Sequence, residues 1–149
     1  MAKVIVTGAN GQIGRELQVL ASHYPGFQFH FTSRFNLDVA DEQAVHRFFN
    51  EYPAEYCINA AAYTAVDQAE SEPEAARRAN TDAPGYLAKA CAHLGIPMIH
   101  YSSDYVYHNH HKRPLLETDP TSPQGVYATT KLNGDEAALA AHNRVIVLR

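Results

Sequence analysis

The chain has 149 residues, 46% of them hydrophobic, enough for one domain with a real core and too apolar for global disorder. Lys and Arg number 12 against 16 Asp and Glu, a formal charge of −4 that argues against a broad nucleic-acid face. No apolar run reaches the ~18 residues of a membrane span, and "MAKVIVTG" lacks the charged, apolar and small-residue regions of a secretory signal, so the expectation is a cytoplasmic protein without membrane or nucleic-acid partners.

In chain order, "KVIVTG" is a short apolar run closed by Gly8, as in a fully buried strand of a parallel sheet. Ile13, Leu17, Leu20 and Ala21 recur at helical spacing, which predicts a helix from about Gln12. "FQFHFTSR" reads as a second strand, and Val45, Phe48, Phe49 and Tyr52 mark one face of a second helix. "YCINAAAY" reads as a third strand. Ser71 and Glu74 in "SEPE" then form an expected capping box, with Pro73 tolerated in the first turn. The helical run that follows is expected to break at "DAPG" and to stop at Gly95, ahead of Pro97. "PMIHYSSDYVY" reads as a fourth strand, residues 108–123 as a proline-bearing surface loop, "GVYATTKLNGDEAALAAH" as a helix and "RVIVLR" as a fifth strand. Cys57 and Cys91 read as buried reduced thiols rather than a bridge or a metal site. Strands alternating with helices predict an α/β fold, a doubly wound Rossmann-like parallel sheet whose ligands gather at the carboxyl ends of the strands.

Between the first strand and the first helix, "TGANGQIG" supplies Gly8, Gly11 and Gly14. Glycines let backbone approach a pyrophosphate, and the helix N-terminus offers it free N–H groups. The plain alternative is a tight turn with close helix packing. The second strand ends in "FTSRF", with Arg34 and no acid until Asp38. An arginine there can accept a ribose 2′-phosphate, which points to NADPH over NADH, although an ordinary surface arginine reads the same. In "YATTK", Tyr127 and Lys131 lie one helical turn apart and share a face. A free phenol titrates near pH 10, and a neighbouring ammonium stabilises its phenolate, so the pair can act as a proton donor. His108, His110 and His111 in "HNHH" lack familiar zinc spacing and read as solvated loop.

Taken together, "TGANGQIG", "LDVAD", "INAAAYTAVDQAE", "YSSDYVY", "ETDPTSP" and "VYATTKLNGDE" resemble the extended short-chain dehydrogenase/reductase superfamily, and within it the family of dTDP-4-dehydrorhamnose reductases. The resemblance covers essentially the whole chain, and "AAAYTAVDQAE" and "SSDYVY" are its discriminating parts. It implies hydride transfer from NADPH or NADH to the 4-keto group of dTDP-4-dehydrorhamnose, in dTDP-L-rhamnose synthesis. It implies that Gly11, Gln12 and Ile13 lie against the pyrophosphate, Asp38 and Val39 meet the adenine, and Ala60, Ala61 and Ala62 line the cofactor. Tyr101 borders the nicotinamide, Ser103 and Asp104 touch the sugar, and Ser103, Tyr127 and Lys131 are the catalytic set. The family also implies a homodimer for the full-length parent, and in some members a magnesium ion held partly by a first-helix glutamate. Glu16 occupies that place, but no metal is assigned. Such reductases run to nearly twice this length, so the expectation is a cofactor-binding domain over residues 1–149, cut before the substrate-binding region and inactive alone. Two other readings stay open: another nucleotide-sugar reductase or epimerase of the superfamily, and a non-catalytic regulatory subunit on the same fold, as in methionine adenosyltransferase.

Overall fold

The computed structural model describes residues 1–108 and 113–149. His110 and His111, part of the expected histidine loop, lie outside the described residues. Five parallel strands form one sheet: β1 (Ala2–Thr7), β2 (Phe27–Thr32), β3 (Tyr56–Asn59), β4 (Met98–Tyr101) and β5 (Val145–Leu148), in the order β2-β1-β3-β4-β5. The chain leaves β1 in one direction to reach β2, then returns past it to β3, β4 and β5. With right-handed crossovers this reversal puts α1 (Gln12–Ala21) on one face. The other face carries α2 (Glu42–Glu51), α5 (Ala83–Leu94) and α6 (Gly125–Ala141), packed side by side. The doubly wound expectation therefore holds, and the order reverses at β1 and β3.

Strand period decides which residues face which layer. Ile5, Cys57 and Met98, in register across β1, β3 and β4, enter the main core with Phe48 and Phe49 of α2 and Leu87 and Cys91 of α5. The alternate row, Ile58, Ile99 and Ile146, faces the side of α1. Cys57 and Cys91 are buried and free, as expected.

Several local expectations are corrected. Ser71 and Glu74 form no capping box. The Ser71 hydroxyl donates to the Gln68 carbonyl, closing the short helix α3 (Val66–Ala69), while Glu74 pairs with Arg77 inside α4 (Pro73–Arg77). The helix does not break at "DAPG". It passes through a π-helical turn, Arg78–Asp82, into α5. Pro84 has no N–H to give the Asn80 carbonyl, and the wider turn removes the clash a proline ring makes with that group. The third strand stops at Asn59 rather than Tyr63, and the fourth at Tyr101, after which Asp104–Val106 form a single 3-10 turn capped by Ser103.

Candidate active site

At the carboxyl ends of β1, β2 and β3 lies a cleft of about 430 Å³, the place where a doubly wound sheet collects its ligand. Its floor is Gly8 and Gly11. Gly8 has φ of +76°, and a Cβ there would sit 2.5 Å from the Ala60 carbonyl oxygen, so only glycine allows the β1 and β3 ends to approach this closely. Arg34, Asp38 and Val39 form one wall and Ala60, Ala61 and Ala62 the other. Gly14 does not line the cleft. A Cβ on it would lie 2.2 Å from the Gly8 carbonyl, so it seats α1 under the loop. Gln12 and Ile13 open α1, both exposed, beside Gly11 and outside the cleft walls. Gln18 steadies the loop by donating its side-chain amide to the Ala9 carbonyl at 2.7 Å. A dinucleotide fits these groups: a glycine floor that a side chain would fill, free N–H groups at the start of a ten-residue helix, and a guanidinium at the far wall.

The second half of the site is the face of α6. Tyr127 and Lys131 share it, one turn apart, and the Tyr127 ring meets Tyr105 edge-on at 5.5 Å between centroids. Lys131 is 1% exposed and donates from Nζ to the Tyr101 carbonyl at 2.7 Å. Burial pulls its pKa down to about 8, against the opposing pull of the Asp135 carboxylate. Tyr101 thus meets the lysine through its backbone. Ser103 Oγ accepts the Tyr105 N–H at 3.2 Å and donates to the Asp104 carboxylate over a long 3.5 Å. So long a bond is weak, and the hydroxyl can turn to a better acceptor. The structure therefore brings Lys131 to the β4 end that carries Ser103, with Asp104 exposed beside it.

Several residues here escaped the sequence reading. Arg78, from the π-helical turn, lines the cleft opposite Arg34, and Tyr63 closes its rim by donating to Glu72 at 2.8 Å. Glu70, the last residue of "AAAYTAVDQAE", accepts the Val126 N–H at 2.7 Å and so caps α6 from 56 positions away. Asn80 is 1% exposed, holds both the N–H and the carbonyl of Tyr63, and reaches the Thr130 hydroxyl. Beneath the sheet end runs a buried polar chain: Thr7, Asn59, His100 and Asp135. The one signal for Asp135 in the sequence is its place a turn beyond Lys131.

Against known proteins, the chain is 40% identical to the dTDP-4-dehydrorhamnose reductase of Mycobacterium tuberculosis over 151 aligned residues, which cover 99% of this chain and 49% of that protein. It is 40% identical to the enzyme of the same name from Escherichia coli over 137 residues, 90% of this chain and 46% of that protein. The chain thus spans about half the length of the curated relatives it matches. Among solved structures, dTDP-4-dehydrorhamnose reductase of Bacillus anthracis, in complex with NADP, superposes with a TM-score of 0.93 at 29% identity, over 98% of this chain and 52% of that one. The UDP-glucose 4-epimerase of Thermus thermophilus, at 21% identity and a TM-score of 0.84, shares the fold. The model of the family described as the RmlD substrate binding domain matches residues 2–149, and the chain belongs to that family.

Proposed function

We propose that this chain carries the cofactor site and the proton-transfer residues of an NADPH-dependent reductase acting on the 4-keto group of dTDP-4-dehydrorhamnose. The observation that carries the reading is one arrangement: a glycine-floored cleft at the switch point of the sheet, and a Tyr127–Lys131 face on α6, the helix that packs against the π-helical turn whose Arg78 lines that cleft. The relatives' names supply the substrate, and the NADP held by the Bacillus anthracis structure supports the cofactor.

When bound, the dinucleotide supplies the hydride. The chain's residues do the rest. The Gly8–Gly11 floor and the first turn of α1 receive the pyrophosphate, and Arg34 the 2′-phosphate. Tyr127 gives its phenolic proton to the oxygen that becomes an alcohol. Lys131, buried and cationic below about pH 8, stabilises the phenolate left behind. Ser103, oriented by the Tyr105 N–H it accepts, turns its proton from the distant Asp104 carboxylate to the carbonyl oxygen and stabilises the charge growing there. Because the chain spans about half of its relatives, contacts to the nucleotide end of the substrate fall outside it in this reading, so residues 1–149 form a cofactor-binding domain with little turnover alone. A cytoplasmic location and a homodimeric parent are carried over from the family resemblance.

The test is a calorimetric titration of the chain with NADPH and NADH, with Arg34→Ala alongside. The expected result is that NADPH binds at least as tightly as NADH, and that the substitution weakens NADPH alone by roughly 10- to 100-fold, as for a hydrogen-bonded charge pair. A folded chain that binds neither cofactor overturns the reading.

A further inference from the structure

Lys131 is the buried cation of the site, and an ammonium out of water needs more than one carbonyl. A buried carboxylate, Asp135, lies one turn further along α6, 0% exposed and outside ion-pair contact with Lys131, whose Nζ bonds the Tyr101 carbonyl. The carboxylate is held from three directions. Oδ2 accepts the Ser102 hydroxyl at 2.7 Å and Arg149 Nε at 3.1 Å, and Oδ1 faces His100 Nε2 at 3.4 Å. Those last two atoms have no other partner.

The protonation of His100 follows from its neighbours. Asn59 Oδ1 accepts both the Thr7 hydroxyl at 2.7 Å and the Ala61 N–H at 3.1 Å, so the oxygen of that amide is fixed. Its NH₂ therefore donates to His100 Nδ1 at 3.0 Å, which leaves the ring's single proton on Nε2, aimed at Asp135. Burial disfavours the imidazolium and Lys131 repels it, so His100 stays neutral at neutral pH. The ionisable groups around Lys131 are then Tyr127 and Asp135 on its own helix, neutral His100 and Tyr101 on β4, and Arg149 beyond β5, across the carboxylate. A neutral histidine takes no charge from Asp135; the carboxylate pairs with Arg149 at the rim, and its field reaches Lys131 one helical turn back along α6.

We infer that Asp135 is a positioning residue for the proposed reaction: through Ser102 it fixes the β4 end that presents Ser103 and the Tyr101 carbonyl bound to Lys131, and its buried charge, one turn from Lys131, favours the ammonium there. The inference rests on the assignment of Lys131 to the proton-transfer pair. It also accounts for a buried acid that the glycine cradle and the Tyr127–Lys131 face leave without a task.

The experiment reads Lys131 directly. The chain's lysines are Lys3, Lys89, Lys112 and Lys131, few enough to resolve by NMR after ¹³C labelling at Cε, with Lys131→Met identifying its signal. In the native chain the Lys131 midpoint should lie near pH 8, where burial places it. Asp135→Asn should lower that midpoint by about one to two units, the Coulomb effect of one charge a helical turn away. Asp135→Glu should keep it close to the native value. Arg149→Met, at a side chain 23% exposed, should raise it, because one repelling cation goes and the carboxylate is no longer shared. NADPH affinity, measured across the same pH range, should fall off at the same shifted midpoints. An unshifted Lys131 in Asp135→Asn overturns the inference. If that variant does not fold, Arg149→Met decides alone, and an unchanged or lowered midpoint there overturns it. Failure of the reductase reading looks different: no NADPH binding at any pH, whatever Lys131 does.

Discussion

Lys131 has given up the hydration of its ammonium, and the Tyr101 carbonyl and the Asp135 charge replace only part of it. The cost shows as a pKa lowered from 10.5 to about 8. Between those two values the unfolded chain binds the extra proton. Stability therefore rises as pH climbs from about 8 towards 10.5, and the full penalty is felt below 8. Lys131→Met should accordingly stabilise the fold at pH 7, by up to about 3 kcal/mol, with the gain shrinking as pH approaches 10. Urea unfolding of both proteins at pH 7 and 9.5 reads this difference. The Cys57 thiol, pushed up by its hydrogen bond to Cys91 and by burial, acts alike in both and cancels. A gain that does not change with pH rejects the account. For chemistry the same change is a loss, and so is Tyr127→Phe. In an active full-length parent the latter should lower kcat by about 10²–10⁴-fold and leave NADPH affinity unchanged; near-native turnover would mean the proton comes from elsewhere. Tyr127 and Lys131 were legible because one helical turn separates them. Asp135 and His100 were not, because their burial comes from β4 and α6 packing across 33 residues or more, which local spacing does not encode.

At the scale of elements, α6 is placed by contacts along its length. Glu70 caps its start, Thr81 donates to the Thr130 carbonyl at 2.9 Å in its middle, and Ser102 binds Asp135 beyond. Between the last two, Gly134 lies against the π-helical turn so closely that a Cβ would sit 1.9 Å from the Asn80 carbonyl oxygen. Gly134→Ala must therefore push the helix off Asn80, and Asn80 holds Tyr63 at the cleft rim. The expected cost is about 1–3 kcal/mol of overpacking, seen as a lower urea midpoint, together with weaker NADPH binding. Unchanged stability would show that the helix yields freely there. The sequence made α6 plain and the π-helical turn invisible. From the sequence "DAPG" reads as a break in the helical run, because the glycine that accommodates Pro84's turn, Gly134, lies 50 positions on. The strand ends failed for a related reason. In "YSSDYVY" the apolar residues go on past Tyr101, but Val106 and Tyr107 are buried by a 3-10 turn instead of by the sheet.

At the scale of the whole molecule, the two faces of the sheet are unequal. A parallel sheet is apolar on both faces and is stable when both are covered. Among the described residues α2, α5 and α6 cover one, while α1 is the one helix on the other. Beside α1 a groove of about 530 Å³ is lined by Leu17, Leu20, Ile58, Ile99 and Ile146, with Tyr24, Phe27 and Tyr56 at its sides. Ile146 is 55% exposed in the middle of an edge strand. Contiguous apolar surface of this kind drives association, and the unpaired backbone of β5 adds a second route. Purified residues 1–149 should therefore self-associate with rising concentration in sedimentation velocity. Ile146→Glu places a charge on the open face while leaving β5 backbone pairing available. It should weaken self-association without lowering the urea midpoint, since an exposed side chain contributes little to the core. If the variant associates as strongly as the native chain, the strand edge rather than the apolar face is responsible. If the native chain is monomeric at every concentration, neither surface is adhesive and the inequality of the two faces has no consequence in solution.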